Sequence, residues 1–195
     1  MNLNNRIMEI EIKRITSWER VLNACRMTVN KKYLAKEPGD EFKRKLVMSE
    51  HSPLRMLEFD ITISDLPYWI HAELCRHHIG VEKFVTTSRP DRTHSGLTRH
   101  ELPQDALISM TLSMNAQAII NVSRMRLCRK AADETQSVWN AVISKLREVE
   151  PILADACVPN CIYRGFCPEI EPCGYSQTRH YIYRLERYRK NEVPL

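Results

Sequence analysis

Three consecutive donor side chains, Arg76, His77 and His78, stand in the string Cys75-Arg76-His77-His78-Ile79-Gly80. Side chains on adjacent helical positions point in different directions, so the three cannot share one solvated face. Some must enter a crevice, and there they need anions or acceptors. The arginine fork suits phosphate by bidentate contact. An imidazole can donate to a ring carbonyl or stack on the ring. Downstream, Thr86, Thr87 and Ser88 offer small hydroxyls to a phosphate or a pyrimidine edge. Taken alone, Arg76-His77-His78 reads better as a basic helix end that complements the macrodipole, with a solvated loop after it.

A second group lies further on. Arg99-His100-Glu101-Leu102-Pro103 is followed by Asn115-Ala116-Gln117, then Asn121, then Met125-Arg126-Leu127. The pattern predicts one long helix from Leu102-Pro103-Gln104-Asp105 to about Leu127. On such a helix Asn115 and Arg126 are about three turns apart and fall on nearly one stripe. Their neighbours Ala116, Ala118, Ile119, Ile120, Val122 and Met125 are apolar, so the two polar groups are expected to be partly buried and to need partners. Structural hydrogen bonding and a surface ion pair are the plain alternative. Arg126 beside Arg76 and Arg99 favours phosphate.

Cysteine supplies a third group. Cys157, Cys161, Cys167 and Cys173 share one loop-rich stretch, separated by three, five and five residues. Clustered thiolates are candidates for zinc or an iron–sulfur cluster. Free thiols packed beneath the loop, or a reversible disulfide, fit the same spacing. Cys25, Cys75 and Cys128 fall in or at the ends of predicted helices and read as core or near-core residues.

The elements that position these groups alternate between helix and strand. Thr16-x-x-Glu19 fits a capping box, and a helix is predicted from there to about Leu34. A polar helix follows over 40–49, and His51-Ser52-Pro53 breaks it. From Leu54 to Ile63 apolar and polar residues alternate, which predicts a strand with one buried face. Ser64-Asp65-Leu66-Pro67 reads as a helix cap, with a helix from Pro67 to about His78. Val81 to Thr87 is a second predicted strand, and Ser88 to Gly96 a polar loop. Beyond the long helix, another is predicted over 131–153, then a Cys/Pro/Gly loop over 159–174 and a basic helix over 177–189. With no repeats and no low-complexity linker, the reading is a single α+β domain over 1–195, carrying a cysteine-rich segment over 157–195.

Bulk composition sets limits. The chain has 195 residues, 43% hydrophobic and 27% charged, as ordinary globular chains do. With 5 glycines and neither a G-x-G-x-x-G nor a P-loop string, phosphate must be held by side chains or helix N-termini. The net charge of +5 suits small anions better than a polymer of phosphates. The N-terminal residues show no signal-peptide pattern and no apolar run is long enough to span a membrane. A cytoplasmic protein is expected, with its 7 cysteines unpaired in disulfides.

The segment from His51-Ser52-Pro53 through Arg76-His77-His78 to Val85-Thr86-Thr87-Ser88-Arg89, joined to the Arg99-to-Arg126 register, resembles the flavin-dependent thymidylate synthases. That family reads a His/Ser/Pro turn, a strand and a helix ending in Arg-His-Arg. Seven residues and a serine follow, then Arg-x-x-Leu-Pro and an Asn-Ala-Arg…Asn…Leu-Arg helix. The resemblance covers roughly Trp18 to Val138 and implies an α+β fold, a small antiparallel or mixed sheet packed with long helices. It also implies conversion of dUMP to dTMP with FAD, using NADPH and methylenetetrahydrofolate, in a homotetramer whose subunits share active sites. By resemblance, Arg99 and Arg126 hold the substrate phosphate, and Glu73, Arg76, Thr86, Thr87 and Ser88 complete that pocket. Ser52, Arg76, His77, His78, Ile79, Asn115 and Asn121 contact FAD, and Arg76, Thr86 and Arg126 carry the catalytic roles.

The chain departs from the family at Glu73 (for glutamine), His78 (for arginine), Thr86 (for serine) and Gln117 (for arginine). It also lacks a long excursion before Arg99. These departures leave open a flavin-dependent enzyme acting on another pyrimidine nucleotide. The cysteines and the basic end (Arg179, Arg184, Arg187, Arg189, Lys190) leave open a non-enzymatic, metal-stapled nucleic-acid module.

Overall fold

Alternating Ile10 and Ile12, Phe59 to Ile63, and Met110 to Met114 build one face of an antiparallel sheet, and the helices close over it. A computed structural model describes residues 8–93, 98 and 100–190. The order along the chain is β1 (Glu9–Arg14), α1 (Trp18–Thr28), α2 (Asp40–Met48), β2 (Glu58–Pro67), α3 (Tyr68–Leu74), β3 (Val81–Val85) and α4 (Pro90–Thr93). It continues with β4 (Leu107–Asn115), α5 (Ala116–Arg126), α6 (Asp133–Val149), α7 (Pro151–Ala156), α8 (Asn160–Arg164) and α9 (Arg179–Arg189). The strand order is β1-β2-β4-β3, with every pair antiparallel. The architecture is α+β, as expected. Among the described residues no helix is long and apolar enough to cross a membrane.

Several predicted elements change type or extent. The long helix expected from Leu102 is a strand, β4, followed by the shorter helix α5. Met110, Leu112 and Met114 are buried while Ser109, Thr111 and Ser113 are half-buried, a period of two. Methionine and leucine also form helices readily, so the type was decided by pairing: β4 has β2 on one side and β3 on the other. Asn115 and Arg126 therefore do not share a helical stripe; Asn115 caps the helix and Arg126 ends it.

The N-terminal strand β1 was not predicted. Its Ile12 is buried, and it pairs along β2 from Glu9↔Ser64 to Arg14↔Phe59. Residues 52–56 form a 3-10 turn where a strand was expected to begin. The predicted cap at Ser64-Asp65 is a bulge: Asp65 has φ 56 and the β2–β4 register shifts between Ile63 and Leu66. Thr16 forms no capping box. Its hydroxyl donates to the Met56 carbonyl at 2.7 Å and accepts from the Glu58 amide at 2.8 Å, tying the start of α1 to β2. α1 also ends at Thr28, short of Leu34.

The helix expected over 131–153 is split in two. Pro151 opens α7, and Glu150 leaves the helical region at φ −145. The Glu150 carboxylate, 4% exposed, accepts from the Trp18 indole at 3.0 Å and from Arg14 at 3.1 Å. The break thus joins α1, β1 and the α6–α7 corner. Within the expected Cys/Pro/Gly loop lies α8, ended by Gly165 in a left-handed conformation at φ 81.

Candidate active site

α3 stops at Leu74, and Cys75-Arg76-His77 continue as a turn whose His77 amide donates to the Leu74 carbonyl at 3.2 Å. Gly80, at φ 71, reverses the chain into β3. A Cβ there would meet the Asn115 amide nitrogen at 2.5 Å, so backbone shape and space both require glycine. The Asn115 backbone amide donates to the Gly80 carbonyl at 3.2 Å, and its side-chain oxygen accepts from the Ala118 amide at 2.9 Å. One residue thus caps α5 and pins the turn that carries Arg76-His77-His78.

Arg126 sits at the other end of α5, about 16 Å along the axis. It is 9% exposed. Its Nε donates to His77 Nε2 at 2.9 Å, one Nη donates to the Glu73 carboxylate at 3.0 Å, and the other donates to the Glu73 backbone carbonyl. Glu73, His77 and Arg126 therefore lock α3 onto the end of α5. Burial holds the His77 pKa down at about 4, with the positive charges of Arg126, Arg76, Lys83 and His78 acting in the same direction. His77 is thus neutral near pH 7. Accepting on Nε2, it carries its proton on Nδ1, which leaves one directed donor. Burial also presses the Arg126 pKa down; Glu73 opposes this and Arg76 adds to it. Arg76, His78 and Ile79 are exposed, Ile79 to 88%. The Lys83 ammonium donates to His78 Nδ1 at 3.2 Å.

Thr86, Thr87 and Ser88 lie beyond the end of β3. The Thr86 hydroxyl donates to the Ser109 carbonyl at 2.9 Å and accepts from the Ser109 amide at 3.2 Å, prolonging the β3–β4 pairing. The three line a cavity of about 430 Å³ with Tyr68, Leu102, Pro103 and the start of β4. Hydroxyls therefore face aliphatic walls in a space of ligand size. Arg99 lies outside the described residues.

The sequence model of the thymidylate synthase complementing protein family matches residues 92–152, which include β4, α5 and α6. The chain is 34% identical over 82 residues to a flavin-dependent thymidylate synthase of Pyrococcus horikoshii, covering 40% of this chain and 34% of that protein. It is 30% identical over 86 residues to the enzyme of the same name from Clostridium tetani, covering 44% and 34%. In fold it is similar to the flavin-dependent thymidylate synthase of Helicobacter pylori, solved with FAD and dUMP. That likeness has a TM-score of 0.62 and 18% identity over 77% of this chain and 99% of the other. It is also similar to a UMP/dUMP methylase of Streptomyces cacaoi, with a TM-score of 0.57 and 14% identity over 81% and 96%.

The chain is similar to the flavin-dependent thymidylate synthases, in sequence over residues 92–152 and in fold.

It spans about a third of the length of the curated relatives it matches, 34% in both cases. Within the family frame, the structure brings Glu73, His77 and Arg126 into direct contact, with Arg76 beside them, and places Asn115 against Gly80. It leaves Asn121 elsewhere, in a polar group with Glu50, Gln117 and Arg124. Gln117 donates to Glu50 and, at 3.2 Å, to Asn121; Arg124 donates to Asn121 at 3.2 Å and pairs with Glu50. Ser52 is exposed in the 3-10 turn just beyond Glu50. Glu50, Arg124 and Tyr163, whose ring lies 3.4 Å from the Arg124 guanidinium, were not among the predicted site residues. The spacing of Gln117, Asn121 and Arg124 places them on one helix face and was the available signal.

The cysteines do not form the group that their spacing suggested. Cys157 is buried in the main core and its thiol donates to the Leu153 carbonyl at 3.3 Å. Burial pushes its pKa up to about 12. Among the described residues, no three His, Cys, Asp or Glu side chains are placed to hold a metal ion.

Proposed function

We propose that the protein catalyses flavin-dependent reductive methylation of a pyrimidine deoxynucleotide, dUMP to dTMP. The observation that carries this reading is the Glu73–His77–Arg126 assembly with the exposed Arg76 beside it, built on the β4–α5 segment that matches the family. FAD suits the residues present: Ile79 offers an exposed apolar surface directly after His77 and His78, and Ser52, Asn115 and Asn121 offer polar groups. When bound, flavin supplies the redox chemistry, recharged by NADPH, while methylenetetrahydrofolate supplies the carbon.

The chain's own residues bind and orient. Arg76 and Arg99 are assigned to the nucleotide phosphate and to the electron-rich pyrimidine, whose charge a nearby guanidinium stabilises. Arg126 has its three nitrogens engaged by Glu73 and His77, so in this arrangement it holds the His77 ring in place. Neutral His77 then presents Nδ1–H as a fixed donor to a carbonyl. Thr86, Thr87 and Ser88, on the wall of the 430 Å³ cavity, supply hydroxyls to the nucleotide. No cysteine nucleophile is assigned to the pyrimidine. No hydrogen bond or ion pair among the described residues links the Arg126 assembly, the Thr86–Ser88 cavity and the Asn121 group. In this reading the protein is a cytoplasmic homotetramer whose subunits complete one another's sites, as the resemblance implies.

A second reading keeps flavin and takes another pyrimidine nucleotide. It rests on Glu73, a carboxylate where the family has glutamine, since an acceptor favours an amino group over a carbonyl. Titrating purified protein with FAD, dUMP and deoxycytidylate tests both. A yellow protein that binds dUMP, and an Arg76→Ala variant that loses it, are the expected results. Preference for deoxycytidylate selects the second reading, and absence of both flavin and nucleotide binding sinks the two together.

A further inference from the structure

The segment after α7 reaches the site above through Tyr163, and its thiols converge elsewhere. Cys128, just past the end of α5, Cys161 in α8, and Cys167 and Cys173 before α9 line one cavity of about 160 Å³. All four are free thiols. Cys157 does not line that cavity, so the cysteine set implied by sequence spacing is corrected in one member: Cys128 takes its place.

We propose that this cavity holds a four-iron, four-sulfide cluster ligated by Cys128, Cys161, Cys167 and Cys173.

Four thiolates are the donor set such clusters use. Space separates a cluster from a single ion. One zinc draws its four sulfurs to about 2.3 Å and leaves no room between them. A cluster brings its own sulfides and irons and needs the cysteines spread around a void. The four thiols here line one void, and among the described residues no three donors are placed to hold a lone ion.

Ligation releases the four thiol protons to solvent. The negative charge left on a four-thiolate cluster meets Arg129 and Arg184 on the cavity wall. Arg129 stacks 4.3 Å from the Tyr175 ring and Arg184 donates to the Tyr175 hydroxyl at 3.4 Å. Cys128 lies two residues past Arg126, so the cluster also fixes the end of α5 that carries the Arg126 assembly.

The test uses the full chain, purified without oxygen and reconstituted with equal amounts of ferrous and ferric iron and with sulfide, which together balance the resting cluster. Iron and acid-labile sulfide are assayed chemically, and electron paramagnetic resonance is recorded after reduction. These readouts do not depend on flavin or nucleotide, so failure here is separable from failure of the proposed reaction. About four irons and four sulfides per chain are expected. The exposed Cys173→Ser and half-buried Cys128→Ser variants lose at least three-quarters of the iron (about one iron or less remaining), whereas Cys25→Ser keeps it. The proposal is overturned by an iron-free chain, by one zinc bound in place of iron, by a disulfide among the four, or by unchanged iron in Cys173→Ser.

Discussion

In the body of the protein Trp18, Phe59, Ile61, Leu112 and Trp139 are fully enclosed between the sheet and the helices, whereas among the described residues beyond α7 a small separate cluster of Val158, Cys161, Ile162, Tyr175 and Tyr181 is buried. The body is held by a continuous apolar core in which the buried Ser123 and Glu150 side chains are hydrogen-bonded and the Thr135 hydroxyl is not. The Trp139 indole donates to the Ser123 hydroxyl at 2.9 Å, and that hydroxyl donates to the Ile119 carbonyl at 2.7 Å. The C-terminal segment instead leans on guanidinium–ring stacking, Arg124 on Tyr163 and Arg129 on Tyr175, which joins it to the end of α5. Small cores stabilise little, and chains with small cores add staples. The contrast explains why the only convergence of thiols among the described residues lies in the weaker region.

The comparison can be broken at several points. Trp139→Ala removes a fully buried indole and its hydrogen bond to Ser123. It is expected to lower global stability by about 3–5 kcal/mol in chemical denaturation. A loss below about 1 kcal/mol would show that the body is not the stable unit described.

Arg126→Ala leaves the Glu73 carboxylate without its partner and frees the His77 ring. Stability should fall by about 2–4 kcal/mol, less than for a fully enclosed pair because Glu73 is partly exposed. Nucleotide or flavin affinity should fall with it, as calorimetry would record. Arg126→Lys keeps the charge but not the fork, and should recover only part of either loss.

Protonation gives a smaller effect of definite sign. His77 has an ordinary value of 6.5 and a folded value of about 4, so between the two the unfolded chain binds more protons. Its stabilising contribution is complete above pH 6.5, falls as pH drops toward 4, and is flat below that. Denaturation midpoints across this window should decline in the wild type and decline less in His77→Gln. Equal slopes would remove the neutral histidine from the site.

Tyr181→Phe should have the least effect. It removes the hydroxyl that donates to the Cys161 carbonyl at 3.2 Å, at a cost of about 1 kcal/mol. Hydrogen exchange should quicken in α8 and α9 and stay unchanged in β2 and β4. Quickening throughout would mean that the two regions open as one.

Local pattern made part of this legible. The alternation from Glu58 to Ile63 identified β2, and apolar periodicity identified α6, because each element's own residues report its buried face. The register of Asn115 and Arg126 pointed to the family even though the element between Leu102 and Asn115 was read as helix. That motif depends on spacing along the chain and not on the conformation between.

What the chain could not report by itself was who pairs with whom. Met110, Leu112 and Met114 suit helix and strand alike, and β4 is a strand because β2 and β3 flank it. Glu73 and Arg126, far apart in sequence, form an ion pair only because α3 and the end of α5 meet. Cys157 belonged with its neighbours by spacing, yet the turn after α7 packs it into the main core, while the end of α5 brings Cys128 to the other three. Residue types and spacing thus determined which chemistry was on offer. Packing of distant elements decided which groups face one another, since the free energy of burial depends on the assembled surface and on no single segment.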